Sequence, residues 1–436
     1  MRGPRALSML RSALGLISGK ATSMILGFAF WLFAARLFPA DAVGLTAGVI
    51  AAIMLCVQFG VLGVGAAFIV QYPRHQHRPG RLLDTSFALV SAMSLVCAAL
   101  FLLLASVFFR ELDVVNSSRA FTALFLAMAV AGTVGVLLDQ ISVAQGRGDQ
   151  VLVRNVLNGL LTVTPLAAVP ALSGTDGALR LFSFWVLGSL SACAWGALQL
   201  ARGPSGYTFG GRVDPRLALV LLRTGSANQA LTICERIPGL VLPIVVTELL
   251  SPSANAHWYT VWMMAWGVYV IPTSFGITLF AEAAHRPATI WLEARRALRS
   301  SLMIGLPAAA VAASLAGPVL SLLGESYAAA GTTPLRILVV GVIPLSFAHA
   351  YFAACRAVGR LPEAIATAAL SGVIAVTVTA LAGSRGGLSA MAVSWVVTQA
   401  LMGAWCAARL RMLAGKPRSR TSSNEAAYPV AGNVHA

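Results

Sequence analysis

The chain has 436 residues, 58% hydrophobic and 11% charged, with a formal net charge of +16 and a mean hydropathy of +0.80. A water-soluble globule cannot hide that much apolar surface, so the composition excludes one and points to a bilayer as solvent. The positive charge does not argue for a nucleic-acid partner, because cationic loops are what orient membrane helices.

In chain order, Arg2, Arg5 and Arg11 precede an apolar run longer than the core of a signal peptide, which reads as an uncleaved first span. Stretches long enough to cross a bilayer lie at about 12–35, 43–70, 84–109, 119–141, 155–172 and 178–200. Six more lie at about 226–250, 257–281, 301–323, 335–355, 364–382 and 388–410. Turn-forming residues punctuate the gaps, as at Phe38-Pro39-Ala40-Asp41 and from Ser173 to Gly177.

Charge tests this count. With the N-terminus inside, the external loops hold six arginines (Arg36, Arg110, Arg119, Arg180, Arg336 and Arg385), and Lys20 and Arg236 fall within spans. The other 23 of the 31 basic residues are then cytoplasmic. A miscount of one helix would invert every later loop, so the asymmetry predicts twelve spans with both termini cytoplasmic in an inner (plasma) membrane.

The chain also repeats itself. A shift of 212–213 residues lays Arg11-Ser12 on Arg223-Thr224, Arg74 on Arg286, Ala144–Arg147 on Ala357–Arg360, and Gly159 on Gly372. Six spans is an even number, so the repeat is parallel. The expected fold is all-α, with two six-helix bundles at 1–204 and 205–412 and a disordered cytoplasmic tail at 413–436.

The six cysteines lie in apolar stretches without CxxC spacing, indicating neither metal nor disulfide framework. No Walker loop, HExxH or GxSxG occurs, so no cofactor and no enzyme is expected. The seventh span is the informative one. Gly225, Asn228, Gln229, Thr232, Glu235, Arg236, Gly239 and Pro243 recur every three or four residues and form one polar stripe. Charges that deep cost about 2.5–3.5 kcal/mol each and usually face a cavity or a partner. Glu235 and Arg236, being adjacent, do not face each other, so each needs its partner elsewhere.

On the first span, the repeat mate of the seventh, Lys20 flanks Gly15, Gly19, Ser23 and Gly27, a spacing that permits close helix approach. Lys20 and Arg236 fall at similar depths on paired helices, which suits an anionic group such as a pyrophosphate. Trp262 and Trp266, in register with Trp258, suit packing, interfacial anchoring or stacking on sugar rings. Asp139 and Gln140 read as a solvated helix end, and His349 as a hydrogen-bonded structural histidine or a proton shuttle.

Ala35-Arg36-Leu37-Phe38-Pro39-Ala40-Asp41-Ala42-Val43-Gly44 resembles the first external loop of the polysaccharide transporter family, and Leu62–Ala67 its end of the second span. Leu323–Gly331 resembles its G-x-x-Y-x-x-A loop, and Ala144–Arg147 and Ala357–Arg360 its loops after spans four and ten. That family belongs to the multidrug/oligosaccharidyl-lipid/polysaccharide exporter superfamily. The resemblance implies a V-shaped pair of bundles that flips an undecaprenyl-pyrophosphate-linked oligosaccharide by alternating access. Glycan polymerase or glycosyltransferases are the implied partners. The alternatives are a multidrug/cation or major facilitator exporter and, third, a membrane glycan polymerase or ligase. Gln71–Leu82 lacks the leading Gly and the Asp of the facilitator signature loop, and every external loop is short for a glycan enzyme.

Overall fold

The computed structural model describes residues 4–75, 79–168, 173–203, 207, 210, 213–285 and 290–414. It is all-helical, with no strand among those residues. The first bundle comprises α1 (Pro4–Leu37), α2 (Ala40–Gly60), α3 (Val64–His75), α4 (Gly80–Phe108), α5 (Arg119–Ala144), α6 (Gly148–Val163) and α7 (Gly174–Ala201). The second comprises α8 (Pro215–Leu249), α9 (Pro252–His285), α10 (Ile290–Ser321), α11 (Glu325–Leu338), α12 (Val342–Ala357) and α13 (Leu361–Ala414). The expected tail lies, from residue 415 on, outside the described residues.

Three breaks reconcile these helices with twelve crossings. The turn Val61–Gly63 interrupts one crossing between α2 and α3, and the 3-10 turn Val339–Gly341 another between α11 and α12. The 54 residues of α13 would run about 80 Å if straight, against roughly 30 Å of hydrocarbon. It instead folds back at Gly387, where φ is +65°. Arg409 Nη2 then meets Glu363 Oε1 at 2.6 Å, so the two ends of α13 lie side by side. Arg360 and the Tyr351 hydroxyl reach the same carboxylate. Partial burial pushes the Glu363 carboxyl up, but these hydrogen bonds and charges outweigh it and hold it below the usual carboxylate range.

The repeat is visible in backbone and packing. Gly146 and Gly359 end paired helices at φ +69° and +75°, and Gly174 and Gly387 stand at paired turns at +60° and +65°. Gly159 of α6 receives Leu26 of α1, and its mate Gly372 receives Pro238 of α8. The glycines let paired helices approach closely in both bundles.

The bundles meet through α2 and α9, themselves repeat mates, where Asn255 Nδ2 donates to the Gly44 carbonyl at 2.9 Å. The remaining ties differ between the two faces. On the face away from the arginine-rich loops, Glu248 at the end of α8 accepts the backbone N–H groups of Arg110, Glu111 and Leu112 at 2.8, 3.2 and 2.7 Å. The Arg36 guanidinium donates there to the carbonyls of Leu322 and Ser321. Ile244, Ala256, Leu323 and Tyr327 of the second bundle are continuous with the core of the first. This face is sealed.

On the basic face, among the described helices, α8 crosses over. Asp214 caps it by accepting from Arg216 N and Leu217 N, and Pro215 sits where no N–H is needed. Leu217 and Leu221 pack with Val64, Phe68 and Leu82. Between α7 and α8, Tyr207 donates to Asp84, and Asp214 N donates to Thr85 Oγ1. Gly225 of α8 and Gly63 of the α2–α3 turn touch backbone to backbone, and a Cβ on either would fall on the other's carbonyl oxygen.

Candidate functional site

Past its crossing point α8 continues into the second bundle and lines a cavity of about 80 Å³ bounded by α9, α12 and both arms of α13. Glu235 and Arg236 contribute the charge, Trp262, Trp266 and Trp395 an aromatic wall, and His349 a polar corner. Glu235 Oε2 accepts from Arg356 Nη2 at 3.2 Å, and the same nitrogen reaches Thr232 Oγ1 at 3.5 Å. Both partners are mostly buried, at 14% and 17% side-chain exposure. Glu235 Oε1 and Arg356 Nε have no hydrogen-bond partner among the described residues. A buried pair with spare donors and acceptors on both sides is polarised to take a further polar group. Arg236 is exposed and has no hydrogen-bond or ion-pair partner among the described residues.

The expected polar stripe of α8 is divided between tasks. Glu235, Arg236 and Gly239 border the cavity. Gln229 does not: its Nε2 donates to the Gln58 carbonyl at 3.0 Å and ties α8 to the first bundle, as Gly225 does. The Asn228 carbonyl accepts from Thr232 Oγ1 at 3.0 Å within the helix, so its contribution there is a backbone one. The Lys20 side chain lies outside the described residues, while Gly19 beside it packs on Leu152 and Asn155 of α6.

The tryptophans also divide. Trp262 is 7% exposed, stacks on Trp258 at 5.9 Å and meets Trp395 edge-on at 4.9 Å. It is committed to packing. Trp266, one turn on, is 38% exposed and offers its ring to the cavity. His349 Nε2 lies 3.2 Å from Thr273 Oγ1, which satisfies it as a hydrogen-bonded histidine.

Arg356 is the residue that sequence reasoning missed. It falls one position past the expected end of the tenth span, among the loop arginines. The available signal was the partner that Glu235 required. The first bundle holds a comparable surprise. Asp139, expected at a solvated helix end, pairs with Arg154 at 2.8 Å, and Arg154 also donates to Gln199 Oε1 at 2.8 Å and Ser142 Oγ at 3.0 Å. Arg154 was expected in a loop, but α6 begins at Gly148 and carries it two turns inward, to 5% side-chain exposure. Asp139→Ala removes the charged partner of a guanidinium that keeps Gln199 and Ser142, and with Asp139 itself about a third exposed it should cost about 1–2 kcal/mol, read as a lower thermal unfolding midpoint in detergent. Adding Arg154→Met should restore most of the loss; no recovery would mean the pair is not the source.

No family model matches the sequence, and no curated protein does. Solved structures do. The inward-facing conformation of a multidrug resistance MATE family transporter of the MOP superfamily superposes with a TM-score of 0.69 at 14% identity, over 90% of this chain and 94% of that one. The fold is that of the MATE transporters. An outward-facing conformation of such a transporter gives 0.61 at 16% identity over 95% and 96% of the two chains. A MOP superfamily transporter from Pyrococcus furiosus, whose binding pocket is described as having reverse polarity, gives 0.58 at 14% over 95% and 96%.

Proposed function

We propose that the protein is an alternating-access transporter that flips a lipid-linked oligosaccharide, of the undecaprenyl-pyrophosphate kind, across the cytoplasmic membrane for surface polysaccharide synthesis. Its arginine-rich face is cytoplasmic in this reading. The observation that supports it is the charge at the cavity: Arg236 lines it, and its single carboxylate, Glu235, is neutralised by Arg356. Guanidinium forks match phosphate oxygens two at a time, and Arg356 has an unused Nε–H to give. Glu235, released from Arg356 by the cargo, is the group that couples binding to the cycle. Trp266 stacks on a sugar ring, and Lys20 adds a third cation from α1. Glycosyltransferases supply the cargo, and a glycan polymerase receives it.

The rival reading is export of drugs, cationic ones included; multidrug resistance is what the names of MATE neighbours carry. It requires a free acidic group in the cavity, whereas Glu235 is bound to Arg356. The two separate in cells lacking the gene and complemented at matched protein levels. Arg236→Ala and Arg356→Ala should each lower surface glycan about tenfold, as loss of one charge-assisted contact implies, with cationic-dye resistance unchanged. Full glycan with lost dye resistance would overturn the flippase in favour of the exporter.

A further inference from the structure

The first helix turns of α10, at the basic face, present a surface that nothing in the cavity explains. Ala294, Ser301 and Gly305 form its buried side, with Ser301 hydrogen-bonded to Ser346 of α12 at 2.8 Å. The opposite side bounds an open space of about 700 Å³ lined by Arg295, Arg296, Arg299, Leu302, Met303 and Leu306. Arg296 has a carboxylate at 3.0 Å in Glu293. Arg295 and Arg299, one turn apart, have no hydrogen-bond or ion-pair partner among the described residues. From Arg299 the face turns wholly apolar for two turns, about 10 Å along the axis into the hydrocarbon. The repeat sharpens the contrast: at the corresponding end of α4, Leu82, Leu83 and Ser86 are fully buried, and the Tyr207 segment and α8 pack over them.

We propose that this face of α10 binds one anionic phospholipid of the surrounding leaflet, its phosphate between Arg295 and Arg299 and an acyl chain along Leu302, Met303 and Leu306. The charge pattern selects this occupant. Unpaired cations at the headgroup level, continued by apolar side chains at hydrocarbon depth, complement a phosphate ester on a hydrocarbon chain. The chain's own segment 415–436 fits less well, since it carries Lys416, Arg418 and Arg420 against a single acid, Glu425. The proposal is independent of the cargo, because the face points away from the cavity and into lipid.

The full-length protein in mixed phosphatidylglycerol–phosphatidylcholine nanodiscs provides the test, with retained lipid counted by native mass spectrometry after release. Two arginines at a factor of about five each predict a roughly 25-fold preference for phosphatidylglycerol at one site. Arg295→Gln with Arg299→Gln should abolish it, and the double lysine variant should keep most of it. Arg216→Gln with Arg223→Gln, two exposed arginines of the same face, should leave it intact. Equal retention of both lipids, or equal loss in the Arg216/Arg223 variant, would overturn the proposal in favour of general attraction to the leaflet. Loss of the preference on truncation after Ala414 would overturn it in favour of a site made by the tail. Monodisperse elution and unchanged melting of each variant distinguish lost binding from lost fold.

Discussion

Replacing Glu248 with Ala should open the molecule at the face away from the arginine-rich loops. One carboxylate there accepts three successive backbone N–H groups from the turn between α4 and α5, so it holds the first bundle to the end of α8. Charge-assisted hydrogen bonds contribute about 1.5–3 kcal/mol each when sheltered. Arg110 is exposed, so water replaces part of what is lost, and a net cost of about 2–3 kcal/mol is reasonable. That is a shift of roughly 30- to 150-fold in the balance between closed and open states. Arg36 and Asn255 remain, so the seal weakens rather than disappears. Spin labels at Ser117 and Ser384, both exposed on opposite bundles at this face, should report a longer second distance in the variant. Glu248→Gln keeps an acceptor without the charge and should give an intermediate population. An unchanged distance distribution in both variants would show that the carboxylate does not hold this gate.

A second large effect is expected at Gly225. Its Cβ position lies 2.3 Å from the Gly63 carbonyl oxygen, so the clash begins at the first side-chain atom and involves backbone on both sides. No rotamer relieves it. Overpacking of this kind costs about 1–3 kcal/mol where side chains can yield, and should reach the upper end or exceed it here. Gly225→Ala should therefore be nearly as harmful as Gly225→Val, a lack of size dependence that ordinary crowding does not produce. Gly267, beside which a Cβ meets nothing within 4 Å, is the control: Gly267→Ala should leave the melting temperature unchanged or raise it. A graded Ala-to-Val series at Gly225 would show that the bundles separate there at little cost.

The twelve crossings and their parallel repeat were legible because the bilayer itself imposes span length and loop charge. Hydropathy does not register backbone breaks, however, so the turn at Val61–Gly63 and the 3-10 turn at Val339–Gly341 were invisible inside continuous apolar runs. Nor does it register helix that leaves the membrane: α8 begins at Pro215, eleven residues before the expected span, and those turns are what reach the first bundle. The candidate site was half legible. Glu235 and Arg236 stood out as charges at unusual depth, but periodicity gives a face and not a neighbour. It therefore could not show that Gln229 turns to Gln58, or that Glu235 finds Arg356 across 121 positions.

Gly27 and Gly239 occupy matching places in the two halves, yet only one is filled. The indole of Trp262 lies over Gly239, while a Cβ at Gly27 meets nothing within 4 Å. Around this notch α1 leans on α6, and its ties to the second bundle come at its far end: Trp31 against Tyr259, rings 4.9 Å apart, and Arg36. A long hydrocarbon tail dragged through a polar passage would need an oily tunnel of its own length. In the proposed flippase, a slot open along one flank would remove that need, because the tail would stay dissolved in the bilayer while only the headgroup changes surroundings. The barrier to be lowered is then set by a few charged and hydroxylated atoms, whatever the length of the chain behind them.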